Sequence, residues 1–239
     1  MRQLNGRLLG PRDPAQPLLT LLDGAGRVEL SGATAANWVA KTANLLHATG
    51  TPARVGLLLP LHWQAVTLLL GAVAAGATAV VAREPQELAD CDVAFVAAGH
   101  AEAALDACPG DVLAVSTAPL GGRLRDLPPM VLDAGSELPS YGDVLDAPHA
   151  DGWAVELDGA LLGPLPELGL GPGDRVLTCL PPDSPDGLAV GLLAPLAAGA
   201  ALVLAPGGGP GGPRDAAAVQ AERVSASVGV DVAGARRLG

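Results

Sequence analysis

Aromatic side chains make up only 2% of this 239-residue chain, and Lys41 is its single lysine. A nucleic-acid surface needs clustered cations to displace counterions and aromatics to stack on bases, so a chain this poor in both is not read as a nucleic-acid binder. Cysteine occurs three times, at Cys91, Cys108 and Cys179. No two of these stand two to four residues apart, which excludes a zinc knuckle, and an odd number at wide spacing does not make a disulfide framework. The N-terminal "MRQLNGRLLGPRDPAQ" has charge and proline where a secretion signal would carry an apolar run, so the expected compartment is the cytoplasm.

What the chain does have is aliphatic bulk and acid. It is 49% hydrophobic with a formal charge of −11, so a sizeable core must be built from Ala, Leu and Val under an acidic surface. Two stretches, Val55–Ala82 and Gly187–Pro213, carry no charged side chain. Each is long enough to cross a bilayer, and an integral membrane protein is the third-ranked reading. Pro60, His62, Gln64 and Gly76 punctuate the first stretch, and Pro195, Gly199 and "PGGGPGG" the second. That punctuation favours buried strand–helix–strand units and no membrane partner.

The two stretches also repeat one another. "RVGLLLPLHWQAVTLLLGAVAAGATAVVA" and "RVLTCLPPDSPDGLAVGLLAPLAAGAALVLA" both run from Arg-Val through Leu-Pro to Ala-Gly-Ala. Each predicts a buried strand (Arg54–Leu59; Arg175–Leu180), a helix (62–75, with Trp63, Val66, Leu69, Leu70 and Val73 on one broad face; Gly187–Ala198), a capping glycine (Gly76; Gly199) and a second strand. Extended outward, "VELSGA" (28–33) is matched with "VELDGA" (155–160). Helix-then-strand patterns follow each copy, at "EPQELADCDVAFVAA" and at 215–230. The segment after Ser31 predicts an amphipathic helix capped by Ser31 or Thr34, whereas Pro164 and Pro166 stunt its counterpart. "DVLAVST" and "PMVLD" predict two more strands. The expected fold is therefore α/β: two related, mostly parallel strand–helix–strand halves, 1–150 (repeat unit 28–100) and 151–239 (repeat unit 155–230).

In their order these units resemble the N-terminal domain of the adenylate-forming (AMP-binding) superfamily, the acyl-CoA synthetases and adenylation domains. "ATAANWVAKTANLLHATGTPARVGLLLPLHWQAVTLLLGAVAAGATAVV" is similar to the early part of that domain, and "LGLGPGDRVLTCLPPDSPDGLAVGLLAPLAAGAALVLAPG" to the part that follows its phosphate loop. The chain also resembles a group of short actinobacterial-type proteins of twilight similarity to these enzymes. The resemblance implies a truncated version of that fold. It also exposes departures. The family's loop, approximately T-S-G-T-T-G-x-P-K-G, falls on "SYGDVLDAPHADGWAVELDGA", which has no lysine and no Ser/Thr/Gly run. Its Asp143, Asp146, Asp151, Glu156 and Asp158 are expected to repel a polyphosphate. Ser184 stands where the family places a histidine or aromatic near its acyl pocket. Asp183, Ser184, Asp186 and Gly187 are therefore the candidates for a degenerate pocket. Lys41 matches no family position, and the family's later nucleotide motifs and lid domain with its catalytic lysine find no match in this sequence.

Other constellations are weak. "GGGPGG" (207–212) contains Pro210 and is followed by Pro213, so it lacks the helix that a dinucleotide fingerprint must open. His149 has acidic neighbours but no second ligand at metal spacing. No serine sits in a nucleophile elbow. The sequence thus assigns no catalytic residue, cofactor or metal. The preferred reading is an acidic pseudoenzyme that binds another protein chain or a small acyl- or nucleotide-like ligand. The enzyme alternative is an AMP-dependent ligase completed by a partner chain.

Overall fold

The computed structural model describes residues 13–24, 26–145, 154–207 and 216–238. Strands β1 (Pro17–Asp23) and β2 (Gly26–Ser31) form a hairpin that feeds helix α1 (Gly32–Ala48). Ser31 is the cap: its Oγ accepts the Thr34 N–H at 3.2 Å. The first repeat copy follows as β3 (Arg54–Leu58), α2 (Trp63–Ala74) and β4 (Thr78–Val81). Next come β5 (Val93–Ala97), α3 (Ala101–Ala107), β6 (Asp111–Val115), β7 (Val131–Asp133) and the short α4 (Ala134–Glu137). A second hairpin, β8 (Ala154–Leu157) with β9 (Ala160–Leu161), leads to the second copy. That copy is β10 (Arg175–Thr178), a π-helix (Gly187–Leu193) running into α5 (Ala194–Ala198), and β11 (Ala201–Leu204). Helix α6 (Ala216–Ala221) and strands β12 (Ala226–Val228) and β13 (Arg236–Leu238) complete the described chain.

These strands form two sheets, ordered β7-β6-β5-β3-β4-β8-β9 and β13-β12-β10-β11-β1-β2. Every pairing is parallel except those of the two hairpins. In both copies the first strand lies beside the second in matching register, Arg54 opposite Thr78 and Arg175 opposite Ala201, as the repeat requires. The strand after each copy then pairs on the other side of the copy's first strand, β5 on β3 and β12 on β10. The central strands read as near-continuous apolar runs because they are covered on both faces.

The sheets do not divide the chain at residue 150. One compact unit draws on residues 36–60 and 64–162, the other on the chain before Ala36, Leu61–Trp63 and the chain after Leu162. The N-terminal hairpin β1–β2 pairs with β11 of the second copy, while β8–β9 pairs with β4 of the first. Each sheet thus takes its outer hairpin from the far part of the chain. The match of "VELSGA" with "VELDGA" is corrected accordingly: the counterpart of β8 is β1, both lying parallel to the second strand of a copy, and β2 is an edge. The two segments look alike because an alternating strand beside a turn reads the same at an edge or inside a sheet.

Three further expectations change. Helix α2 is buried on all sides, since a helix without a charged residue has no face to give to water. "EPQELADCD" forms only the 3₁₀ turn Pro85–Leu88, the connection to β5 leaving little room for more. The second copy's helix opens in π rather than α form. Gly199 lies 24 positions after Arg175, whereas Gly76 lies 22 after Arg54. The wider π turns take up added residues between otherwise matching ends. Among the described residues, no helix is long and apolar enough to cross a membrane.

The capping glycines do match: φ is 89° at Gly76 and 85° at Gly199, the left-handed conformation that ends a helix without a Cβ penalty. Gly76→Val is expected to cost about 1–3 kcal/mol through backbone strain. Thermal or urea unfolding measures this, and an unchanged midpoint would show the turn to be tolerant.

Candidate functional site

The pocket candidates lie between β10 and the π-helix. Ser184 is committed to the backbone: its Oγ donates to the Pro181 carbonyl at 2.8 Å and accepts the Gly187 N–H at 3.1 Å. That arrangement caps the helix that follows. Gly187 is buried, and a Cβ placed there would lie 2.0 Å from the Pro181 oxygen, so the turn is packed backbone to backbone. Asp183 is half-buried and Asp186 exposed. The structure therefore joins Ser184 to Gly187 and leaves Asp186 in solvent. Beneath the π-helix, the Thr178 hydroxyl is fully buried without a hydrogen-bond partner, 2.6 Å from where a Cβ of Gly191 would sit. Sequence reading missed this residue, because "RVLT" looks like any buried strand.

The acidic interval is better defined. Three of its five carboxylates are described, and each is paired. Asp143 meets Lys41 at 2.8 Å, and Glu156 accepts two hydrogen bonds from Arg54 at 2.9 and 3.0 Å. Asp158 faces Arg83, with one contact at 3.0 Å. Asp146, Asp151 and His149 lie outside the described residues. A partner cation thus stands beside each of the three described carboxylates and offsets part of its charge. Asp158 and Gly159, at φ 55° and 73°, form the two-residue turn of the β8–β9 hairpin. Such Asp-Gly turns match the right-handed twist of the flanking strands.

The opening arginines of the two copies share one role. Arg54 reaches across β4 to Glu156, which sits opposite Val80, two residues beyond Arg54's own partner Thr78. Arg175 reaches across β11 to the Thr20 hydroxyl at 3.1 Å, and Thr20 sits opposite Val203, two residues beyond Ala201. In the second sheet a buried carboxylate is added: Glu222 receives Arg175 at 2.7 Å and is also held by Arg27 of β2. The Glu222 hydrogen bond outweighs desolvation and holds Arg27 charged well above the usual guanidinium range. The Glu156 hydrogen bond raises Arg54 in the same way.

Cys91 and Cys108 are buried, and the Cys108 thiol donates to the Cys91 carbonyl at 3.3 Å. Burial raises all three thiols, Cys91 to about 12, so none has thiolate character at neutral pH. Among the described residues, no three His, Cys, Asp or Glu side chains converge as a metal site.

The fold is that of acyl-CoA synthetases and CoA ligases. A Brucella canis acyl-CoA synthetase matches with TM-score 0.70 at 17% identity, over 91% of this chain and 45% of that one. A benzoate CoA ligase from Burkholderia xenovorans matches at 0.70 and 17%, over 95% and 50%. MatB from Rhodopseudomonas palustris matches at 0.68 and 18%, over 95% and 49%. This chain spans about half the length of those structures. No family model matches the sequence. A curated relative, the "TIGR03089 family protein" of Mycobacterium tuberculosis, is 36% identical over 214 residues, covering 84% of this chain and 88% of the relative. The chain belongs to the TIGR03089 family. The expected likeness in fold to the N-terminal part of these ligases holds, as does the expected likeness to a short mycobacterial protein.

Two measurements check the site chemistry. Glu156→Ala leaves the Arg54 guanidinium without its carboxylate and is expected to destabilise by about 2–3 kcal/mol in denaturant unfolding. The raised Cys91 pKa contributes stability that is complete below pH 9, the unfolded value, and is lost as pH rises toward 12. Cys91→Ala is therefore expected to flatten the fall in melting temperature over that range, and an identical slope would contradict the assignment.

Proposed function

We propose that this protein is a binding module with the fold of an adenylate-forming N-terminal domain, and that it does not itself adenylate. Its ligand is a small acyl- or nucleotide-like molecule or another protein chain. One observation carries the reading: at the described residues of the interval that stands where the family has its phosphate loop, the neighbouring cations are already committed. Lys41, Arg54 and Arg83 each hold a carboxylate, Asp143, Glu156 and Asp158. Binding magnesium-ATP and stabilising the charge built up at its α-phosphate call for donors aimed at the nucleotide, and the loss of one such donor costs on the order of 100-fold in rate. A guanidinium engaged by two carboxylate oxygens would have to leave an existing bond to serve. The short Asp158-Gly159 turn adds support, since a two-residue turn offers few amide donors for a phosphate.

The test is purified protein with magnesium-ATP, labelled pyrophosphate and a broad panel of carboxylic acids. No carboxylate-dependent exchange is expected, and no ATP binding at millimolar concentration. Exchange that follows the protein through a second purification step would overturn the reading. Exchange that appears only when a second, co-purifying chain is added would favour the partner-completed ligase. A thermal-shift panel of AMP, CoA and acyl-adenylate analogues then identifies ligand class, because a ligand that binds only the folded state raises the midpoint by mass action.

A further inference from the structure

The single lysine of the chain, already paired with Asp143, makes further contacts along the same segment. Lys41 and Asn44 lie three residues apart on α1, hence on one face of the helix. Residues 139–145 run over that face on their way toward β8. The Lys41 ammonium donates to the Tyr141 carbonyl at 2.6 Å and to the Pro139 carbonyl at 3.4 Å, and meets Asp143 Oδ1 at 2.8 Å. All three of its donors are engaged. The Asn44 amide donates to the Val144 carbonyl at 2.8 Å and to the Gly142 carbonyl at 3.2 Å. These contacts form a ladder, with Lys41 taking the odd positions 139, 141 and 143 while Asn44 takes 142 and 144.

Apolar burial contributes little to this attachment. Leu138, at 1% exposure, anchors the start of the segment. Beyond it Tyr141 is half-buried, Gly142 and Asp143 are exposed, and Val144 is 76% exposed. A segment held by hydrogen bonds and not by a core is one that opens locally, well below the free energy of global unfolding. Beneath it, the Asn44 side chain is only 5% exposed, so opening delivers a buried amide to solvent.

We propose that Tyr141–Leu145 is a strap latched to α1 by the charge of Lys41, and that loss of this one ammonium frees the strap while both sheets stay folded. The strap is a conformational device built into the fold, and it does not rest on the functional reading above. It gives the chain's only lysine a role: a single positive charge governs whether residues 141–145 stay on the helix.

Limited proteolysis of the full chain by a chymotrypsin-type protease, which cuts after Tyr141 and Leu145, tests this. In Lys41→Met, cleavage within 141–145 is expected to be at least ~10-fold faster than in the parent, since cleavage follows the population of the locally opened segment, with cleavage inside β5 and β6 unchanged. Asp143→Asn and Asn44→Ala, which remove one and two of the contacts, are expected to give smaller increases at the same sites. Acylation of the Lys41 amine by an ester reagent, followed on its own peptide, is expected to speed up in both of these variants. Cleavage of 141–145 within twofold of the parent in Lys41→Met would overturn the latch. So would faster cleavage spread equally into β5 and β6, or failure of that variant to fold, since either makes Lys41 a general stability residue.

Discussion

A guanidinium laid across a buried strand is the interaction on which both sheets depend. Parallel strands beside one another in a sheet need not be close in sequence, and here the outer hairpin of each sheet comes from the other part of the chain. Backbone pairing alone tolerates a slip, but a slip by one residue would turn the charged partner to the opposite face. Arg54 fixes β8 at Glu156, and Arg175 fixes β1 at Thr20, each two residues past the direct register. The repeated Arg-Val is therefore a registration mark. That is why both copies open with it, and why it stands at the start of the central strand, away from the ends where α/β sheets ordinarily bind ligands.

The same economy explains the surface. The chain has 14 lysines and arginines against 25 aspartates and glutamates. Cations are the scarce resource, and the structure spends them between segments far apart in sequence: Arg54 with Glu156, Arg83 with Asp158, Lys41 with Asp143, Arg175 with Glu222. Exposed pairs such as Arg83–Asp158 add little stability, while the largely buried Glu222 makes its cluster costly to break. A phosphate ligand would have to compete with these partners. At Asp143, Glu156 and Asp158 the formal negative charge is thus a poor guide to the local potential, which the folded pairings set.

Legibility in the sequence followed the range of the physics. Both strand–helix–strand copies, a cap at Ser31 or Thr34 and the Gly76 and Gly199 caps could be read, because each is fixed by neighbours within a few residues. Hairpin exchange could not, since "VELSGA" and "VELDGA" carry the same local pattern and differ only in which distant strand they meet. The π-helix was hidden for another reason: a spacing two residues longer can be absorbed by a loop or by a wider helix, and composition does not choose between them. Within the candidate site, Ser184 was found but its role was not, because a serine that caps a helix and one that faces a ligand look alike. Thr178 left no signal at all.

The π-helix also bears on what a module of this fold can do. In the first copy, the helix between the paired strands is regular and buried throughout. In the second, the matching helix begins as π, is capped by Ser184 and lies over the unpartnered Thr178 hydroxyl. A buried hydroxyl without a partner is a standing cost, and π turns weaken the regular ladder of backbone bonds. Both departures fall on the same copy and on adjacent elements, whereas the first copy shows neither. Two versions of one unit are held to the same strand register by equivalent arginines, while the π-helix and the unpartnered hydroxyl fall in the second. The difference between them, and not the shared pattern, is where a function particular to this chain has room to reside.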